Sequence, residues 1–212
     1  IEECFPDELR GDALPFFIDW LLENVHLVEI TAYSDDDAYT IFETMNDRGL
    51  SLSATDMLKG YLLANITDPA KRVTSNTRWR DRIAELNAVG KEVEPDFFKA
   101  WLRSQYSTKI RERKRGAKQE DFDRIGTEYH RWLRDASGGL GLRGSDDFFK
   151  FLDVNFDFYC RQYLRLMKAS RELVPGLEPV FYNAQNGFTL QYMLLLAPVL
   201  PDDSDEVAVL KQ

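Results

Sequence analysis

The sequence predicts a mainly α-helical protein with one β-strand near its N-terminus. Apolar residues recur at three- and four-residue spacing along most of the chain, as one face of a helix requires. Helix-starting and helix-stopping residues bracket those stretches. A single β-branched run, Val25 to Tyr33, alternates instead. Of the 212 residues, 44% are hydrophobic, including 14 Phe, 9 Tyr and 4 Trp, which is enough apolar surface for a packed core and argues against disorder.

Asp12 is expected to cap a first helix over Ala13 to Asn24, with Phe17, Trp20 and Leu21 on one side. The strand follows. A lone strand leaves its N–H and C=O groups unpaired, so its sheet partners are expected upstream, and the start at Ile1 rather than Met suggests a trimmed product. Ser34 and Asp37 read as the start of a helix through Ile41, Phe42 and Met45 that stops at Gly49. Ser53 and Asp56 form a second capping box ahead of Met57, Leu58, Tyr61 and Leu62, with Ile66 just beyond. Thr67 to Asn76, containing Asp68-Pro69, reads as a connector, which places a boundary near residue 70: residues 1–70 as one part, 71–212 as an all-helical one.

Beyond that boundary Trp79, Ile83 and Leu86 predict a short helix. A longer one begins after Pro95 and carries Phe97, Phe98, Trp101, Leu102, Tyr106 and Ile110. Phe122, Ile125, Tyr129, Trp132 and Leu133 predict another, which breaks at Ser137-Gly138-Gly139. Ser145 is expected to cap a long aromatic helix through Phe148, Leu152, Tyr159, Tyr163 and Met167 that ends before Pro175, and two more segments surround Val180 and Leu194.

Several function classes are excluded or disfavoured. The longest apolar run, Phe188 to Leu200, carries Thr189 and Gln191 and is broken by Pro198, so it reads as a core helix rather than a membrane span. No leader peptide is recognisable, and a cytoplasmic location is expected. Cys4 and Cys160 make neither a disulfide framework nor a zinc site, and His26 and His130 are not at metal-binding spacing. Asp35-Asp36-Asp37 could hold a cation, but acids at a helix start already interact favourably with its dipole.

The net charge of -9 is unevenly spread. Residues 1–58 hold 14 acids and 2 bases (-12), residues 59–118 hold 7 and 15 (+8), and the remainder 15 and 10 (-5). Only the middle third can attract a polyanion, and its densest part is Lys109 to Lys118, where six bases face one acid. Arg111, Arg113, Lys114 and Arg115 are the candidate nucleic-acid contacts, with Trp101 and Tyr106 preceding them. The same run also reads as a solvated face.

The segment Ile41 to Lys59 carries Phe42, Asn46, Arg48, Gly49, Leu52, Asp56 and Lys59 at the spacing F-x-x-x-N-x-R-G-x-x-L-x-x-x-D-x-x-K. It resembles domain-of-unknown-function family 262, the ParB-like nuclease domain at the N-terminus of GmrSD-type modification-dependent restriction enzymes. The match covers about residues 14 to 66, and Val28-Glu29-Ile30 and Asp37-Ala38 recur in that family's pattern. More loosely, Lys118 to Arg134 and Phe181 to Leu200 look like the helical extension those proteins carry before a C-terminal HNH domain.

The resemblance implies that the strand is left over from a truncated α/β ParB-like domain. It also implies that the intact protein binds a nucleoside triphosphate and a divalent metal and cleaves modified DNA in phage defence. Gly49, Ser53 and Asp56 are explained by stopping and capping helices. Asn46 and Arg48 are not needed for that, and an amide beside a guanidinium suits a nucleotide pocket, although a structural role stays open. The family's D-G-Q-Q-R and H-N-H motifs occur nowhere in these 212 residues. Two rival readings remain: a helix-turn-helix DNA reader over Asp35 to Ile66, whose second helix offers only Lys59 as a base, and a protein-interaction scaffold.

Overall fold

The computed structural model describes residues 11–26 and 53–212. The chain divides into two compact units, Ile1–Gly49 and Leu50–Gln212. In the first unit a 3₁₀ turn, Gly11–Ala13, runs into helix α1, Leu14–Asn24. Asp12 does not cap α1: it sits inside the turn, and Ala13 at the N-cap makes no side-chain bond. Pro15 opens the helix instead, at a position where its missing N–H costs nothing. Val25 closes it, donating its N–H to the Leu21 carbonyl at 2.9 Å. The remainder of the expected strand, Asp35 to Asp37, Asn46, Arg48 and Gly49 lie outside the described residues, and no strand occurs among the described ones.

The second unit is mainly helical. Helix α2, Ala54–Ala64, starts on the expected capping box: Ser53 Oγ accepts from Asp56 N at 3.1 Å, and Asp56 Oδ2 accepts from Ser53 N at 3.2 Å. Its Leu58 and Leu62, with Ile66 beyond it, enter the same core as the later helices, and α2 packs on helix α5, Asp121–Ala136. Thr55 and Tyr129 clasp this contact with a buried hydroxyl–hydroxyl bond of 2.8 Å.

The chain therefore does not hand over near residue 70. Asp68-Pro69, read as a connector, begins helix α3, Pro69–Val89, because Asp68 Oδ1 accepts from Ala70 N and Lys71 N at 2.8 and 3.2 Å and Pro69 fits the first turn. The short helix expected around Trp79 is the middle of this 21-residue one.

Helix α4, Val93–Tyr106, buries Phe97, Phe98, Trp101 and Leu102 but stops four residues short of Ile110. Pro95 lies within its first turn rather than ahead of it. The long aromatic helix runs from α6, Ser145–Lys150, through a π-helical stretch, Phe151–Phe156, into α7, Asp157–Ala169. Its cap is not Ser145. Asp147 Oδ2 accepts from Gly144 N and Arg143 N, while Ser145 Oγ accepts from Thr67 N at 3.0 Å and ties α6 to the start of α3. Helices α8, Glu178–Gln185, and α9, Gln191–Leu196, match the two segments expected at the end, and α10, Asp205–Lys211, capped by Ser204, was not foreseen.

The core is an aromatic stack around α4. Between ring centroids, Trp79 lies 5.5 Å from Phe98, Phe98 5.4 Å from Tyr129 and Trp101 5.2 Å from Phe151, so α3, α5 and the π-helical stretch all close on one helix. Such pairs each add about 0.5–1.5 kcal/mol beyond the area they bury. Beside the stack, Asp157 accepts from Arg82 Nε at 2.8 Å and Arg161 Nε at 3.1 Å, with Arg78 Nη1 at 3.3 Å. This charge cluster joins α3 to the start of α7.

Candidate functional site

Residues 107–120, between α4 and α5, have no regular helix, and this is where the basic run lies. Close spacing of like charges opposes a helix there, and Gly116 adopts φ +81° in a turn closed by the bond from Ala117 N to the Lys114 carbonyl at 3.1 Å. Lys109, Arg111, Arg113, Lys114, Arg115 and Lys118 are all exposed. Lys114 pairs with Glu112 at 2.9 Å, but both ends are wet, so the pair is weak enough for a phosphate to displace.

Both feet of the loop are held. Thr108 donates from its N–H and its hydroxyl to Asp121 Oδ2, at 3.3 and 2.8 Å. Arg111 N donates to Asp123 Oδ2 at 3.0 Å, and Phe122 N to the Lys109 carbonyl at 3.0 Å. Asp121 Oδ1 accepts from Trp132 Nε1 at 3.1 Å. Burial works against ionisation of Asp121, but the bonds from Trp132 and Thr108 and the charge of Lys109 outweigh it and hold its pKa below the usual carboxylate value. It thus stays ionised and keeps its grip near neutral pH.

The four predicted nucleic-acid contacts, Arg111, Arg113, Lys114 and Arg115, are thus brought together on one exposed loop. The two aromatics that precede them are not part of its face: Trp101 is 1% exposed in the core stack, and Tyr106 is half-buried with its hydroxyl 3.4 Å from Asn155 Nδ2. Asn46 and Arg48, the predicted nucleotide-pocket pair, lie outside the described residues. His26 is exposed at the end of α1, and His130 lies on α5 beside the Tyr129 ring. Cys160 is buried, and burial pushes its thiol pKa well up, so it is a packing residue rather than a nucleophile.

Arg103 on α4 is the residue at this site that the sequence did not single out. Its Nε donates to the Phe122 carbonyl at 2.9 Å and its guanidinium lies over the Phe122 ring, 4.1 Å from the centroid. Gly126 makes room for it, since a Cβ there would collide with Arg103 Nη2. A lone Arg among helical aromatics has no local pattern that marks it.

Among the described residues no group of three or more His, Cys, Asp or Glu side chains could hold a metal, and no helix is long and apolar enough to cross a membrane. Comparison with protein-family models, with curated proteins and with solved structures finds no match in any of the three.

Proposed function

We propose that this chain is a helical, DNA-facing scaffold in a GmrSD-like restriction or phage-defence protein, and that loop 107–120 is its contact with the phosphate backbone. One observation carries the reading: six exposed bases against one acid over Lys109 to Lys118, on a loop held at both feet, in a chain of net charge -9. Phosphate contacts of this kind give affinity and position without sequence preference. The resemblance over Ile41 to Lys59 adds Asn46 and Arg48 as one wall of a nucleoside triphosphate pocket in the intact protein, with a divalent metal alongside. Because D-G-Q-Q-R and H-N-H occur nowhere in the sequence, the part proposed for this chain is contact rather than bond cleavage.

The helix-turn-helix reading has less support. Helix α2 buries Thr55, Met57, Leu58 and Leu62, packs against α3 and α5, and its single base, Lys59, is half-buried. Binding to a fluorescent duplex over a series of salt concentrations tests the proposal. Sequence-independent binding that weakens steeply with salt supports it, and salt-insensitive binding or none refutes it.

A further inference from the structure

At the root of loop 107–120 a cleft of ≈ 250 Å³ opens, with Arg103, Ser104, Ser107, Thr108 and Lys109 on its polar side and Ile110, Phe122 and Leu194 among its apolar lining. No carboxylate lines it, although acids outnumber bases 36 to 27 in the chain. Asp121, which holds the foot of the loop, is engaged by Trp132 at Oδ1 and by Thr108 at Oδ2.

Arg103 is the unusual member. It is half-buried, and burial lowers its pKa, with Asp123 opposing only through its charge. Among the described residues its terminal nitrogens have no hydrogen-bond acceptor, and no carboxylate lies within ion-pair distance. The Phe122 carbonyl and ring and the charge of Asp123 compensate this guanidinium only in part, and an anion at its terminal nitrogens would add a direct partner. The planar Arg fork suits a bidentate oxyanion, phosphate included. Ile110 and Leu194, respectively 69% and 53% exposed, offer an apolar surface beside that anion seat.

We infer that the cleft seats one nucleotide: its phosphate between Arg103 and Lys109, with the Ser107 hydroxyl as a further donor, and its sugar and base against Ile110 and Leu194. The cleft itself stands independently of the loop's role, while the identity of the ligand as a nucleotide rests on the proposed nucleic-acid contact. The seat would hold one unit of a strand whose backbone the loop above it attracts.

The test uses the chain labelled with ¹⁵N, titrated separately with thymidine 5′-monophosphate, thymidine and inorganic phosphate up to about 5 mM, a range that detects affinities near 1 mM. The nucleotide is expected to shift the Arg103 Nε–H and the Ser107 and Lys109 amides saturably, with thymidine inert and phosphate weaker. Leu194→Glu, at an exposed position, places a carboxylate in the cleft and should weaken the nucleotide by about tenfold or more. Arg103→Lys keeps the cation but loses the fork and should also weaken it. The variant neutralised at Arg111, Arg113, Lys114 and Arg115 should keep nucleotide binding while its duplex binding weakens and becomes less dependent on salt.

No shift at Arg103, shifts confined to residues 111–115, or an unaltered affinity in Leu194→Glu would overturn the inference. Nucleotide binding without duplex binding would overturn the proposed function alone. Duplex binding without the cleft shifts would overturn the nucleotide seat alone.

Discussion

Neutralising Arg111, Arg113, Lys114 and Arg115 together gives the sharpest test of the loop's role. All four side chains are exposed, and the loop is anchored through backbone groups and Asp121 and Asp123 rather than through these four. Their replacement by Gln should therefore leave thermal unfolding within about 0.5 kcal/mol of the parent, as for surface substitutions away from structural features. Lys114 already shares Glu112, so three to four phosphate contacts are at stake. At about 0.9 per contact, the slope of log affinity against log salt should flatten by about 2.7 to 3.6. Between 50 and 200 mM salt the parent should then lose about 40- to 150-fold more affinity than the variant. Fluorescence anisotropy with a labelled duplex at four or more salt concentrations measures both slopes. An unchanged slope would show that the run is a solvated surface, and the DNA contact would have to be abandoned.

Other perturbations separate holding the loop from touching DNA, and stability from both. Asp121→Ala strips the partner from Trp132 Nε1 and frees Thr108; it should cost about 1–3 kcal/mol of stability and several-fold in duplex affinity with the slope unchanged, and a flattened slope would contradict the anchoring role. Asp157→Ala leaves Arg78, Arg82 and Arg161 without their shared carboxylate. Because these arginines are 21–47% exposed, its cost should be about 2–3 kcal/mol in chemical denaturation, short of a fully buried pair. Burial raises the Asp157 pKa but Arg82 and Arg78 hold it below normal, so its contribution is present above about pH 3.9 and is lost as pH falls through the lower folded value. Burial pushes the Tyr129 pKa up to about 12 against the hydrogen bond to Thr55, so its contribution, on the order of 3 kcal/mol, is whole below about pH 10 and lost as pH rises through the folded value; Tyr129→Phe should flatten that alkaline decline. Arg48→Ala should lower nucleotide affinity of the intact protein without moving the duplex salt slope, and a moved slope would merge the two roles.

Helices announced themselves wherever packing is periodic. Leu58, Leu62, Phe97, Phe98, Trp101 and Leu102 read as core from spacing alone because each faces the same aromatic stack. Ends were harder, since one residue type serves two purposes. Asp68-Pro69 signals a turn and a helix start equally, and only the amides of Ala70 and Lys71 meeting the Asp68 carboxylate decide between them. Ser145 looks like a cap, yet its hydroxyl is taken by Thr67, 78 residues earlier in sequence, a contact with no local trace. The π-helical stretch Phe151–Phe156 escapes a reading that assumes 3.6 residues per turn, which is why the long helix was foreseen but not its widening.

The loop was visible because charge density is local in sequence; the cleft beneath it was not, because Arg103 meets Leu194 only after α9 folds back onto α4. The same fold grades the loop's six charges. Lys109, at one foot, shares its field with Asp121, and Arg111 hangs from Asp123 by its backbone, so this end of the loop sits beside two carboxylates. Arg113 and Arg115 make no ion pair among the described residues and stand near the Gly116 turn, farther along the loop from those anchors. Net charge is therefore a poor guide to this chain: two of the acids that make it negative, Asp121 and Asp123, also hold up its most basic loop.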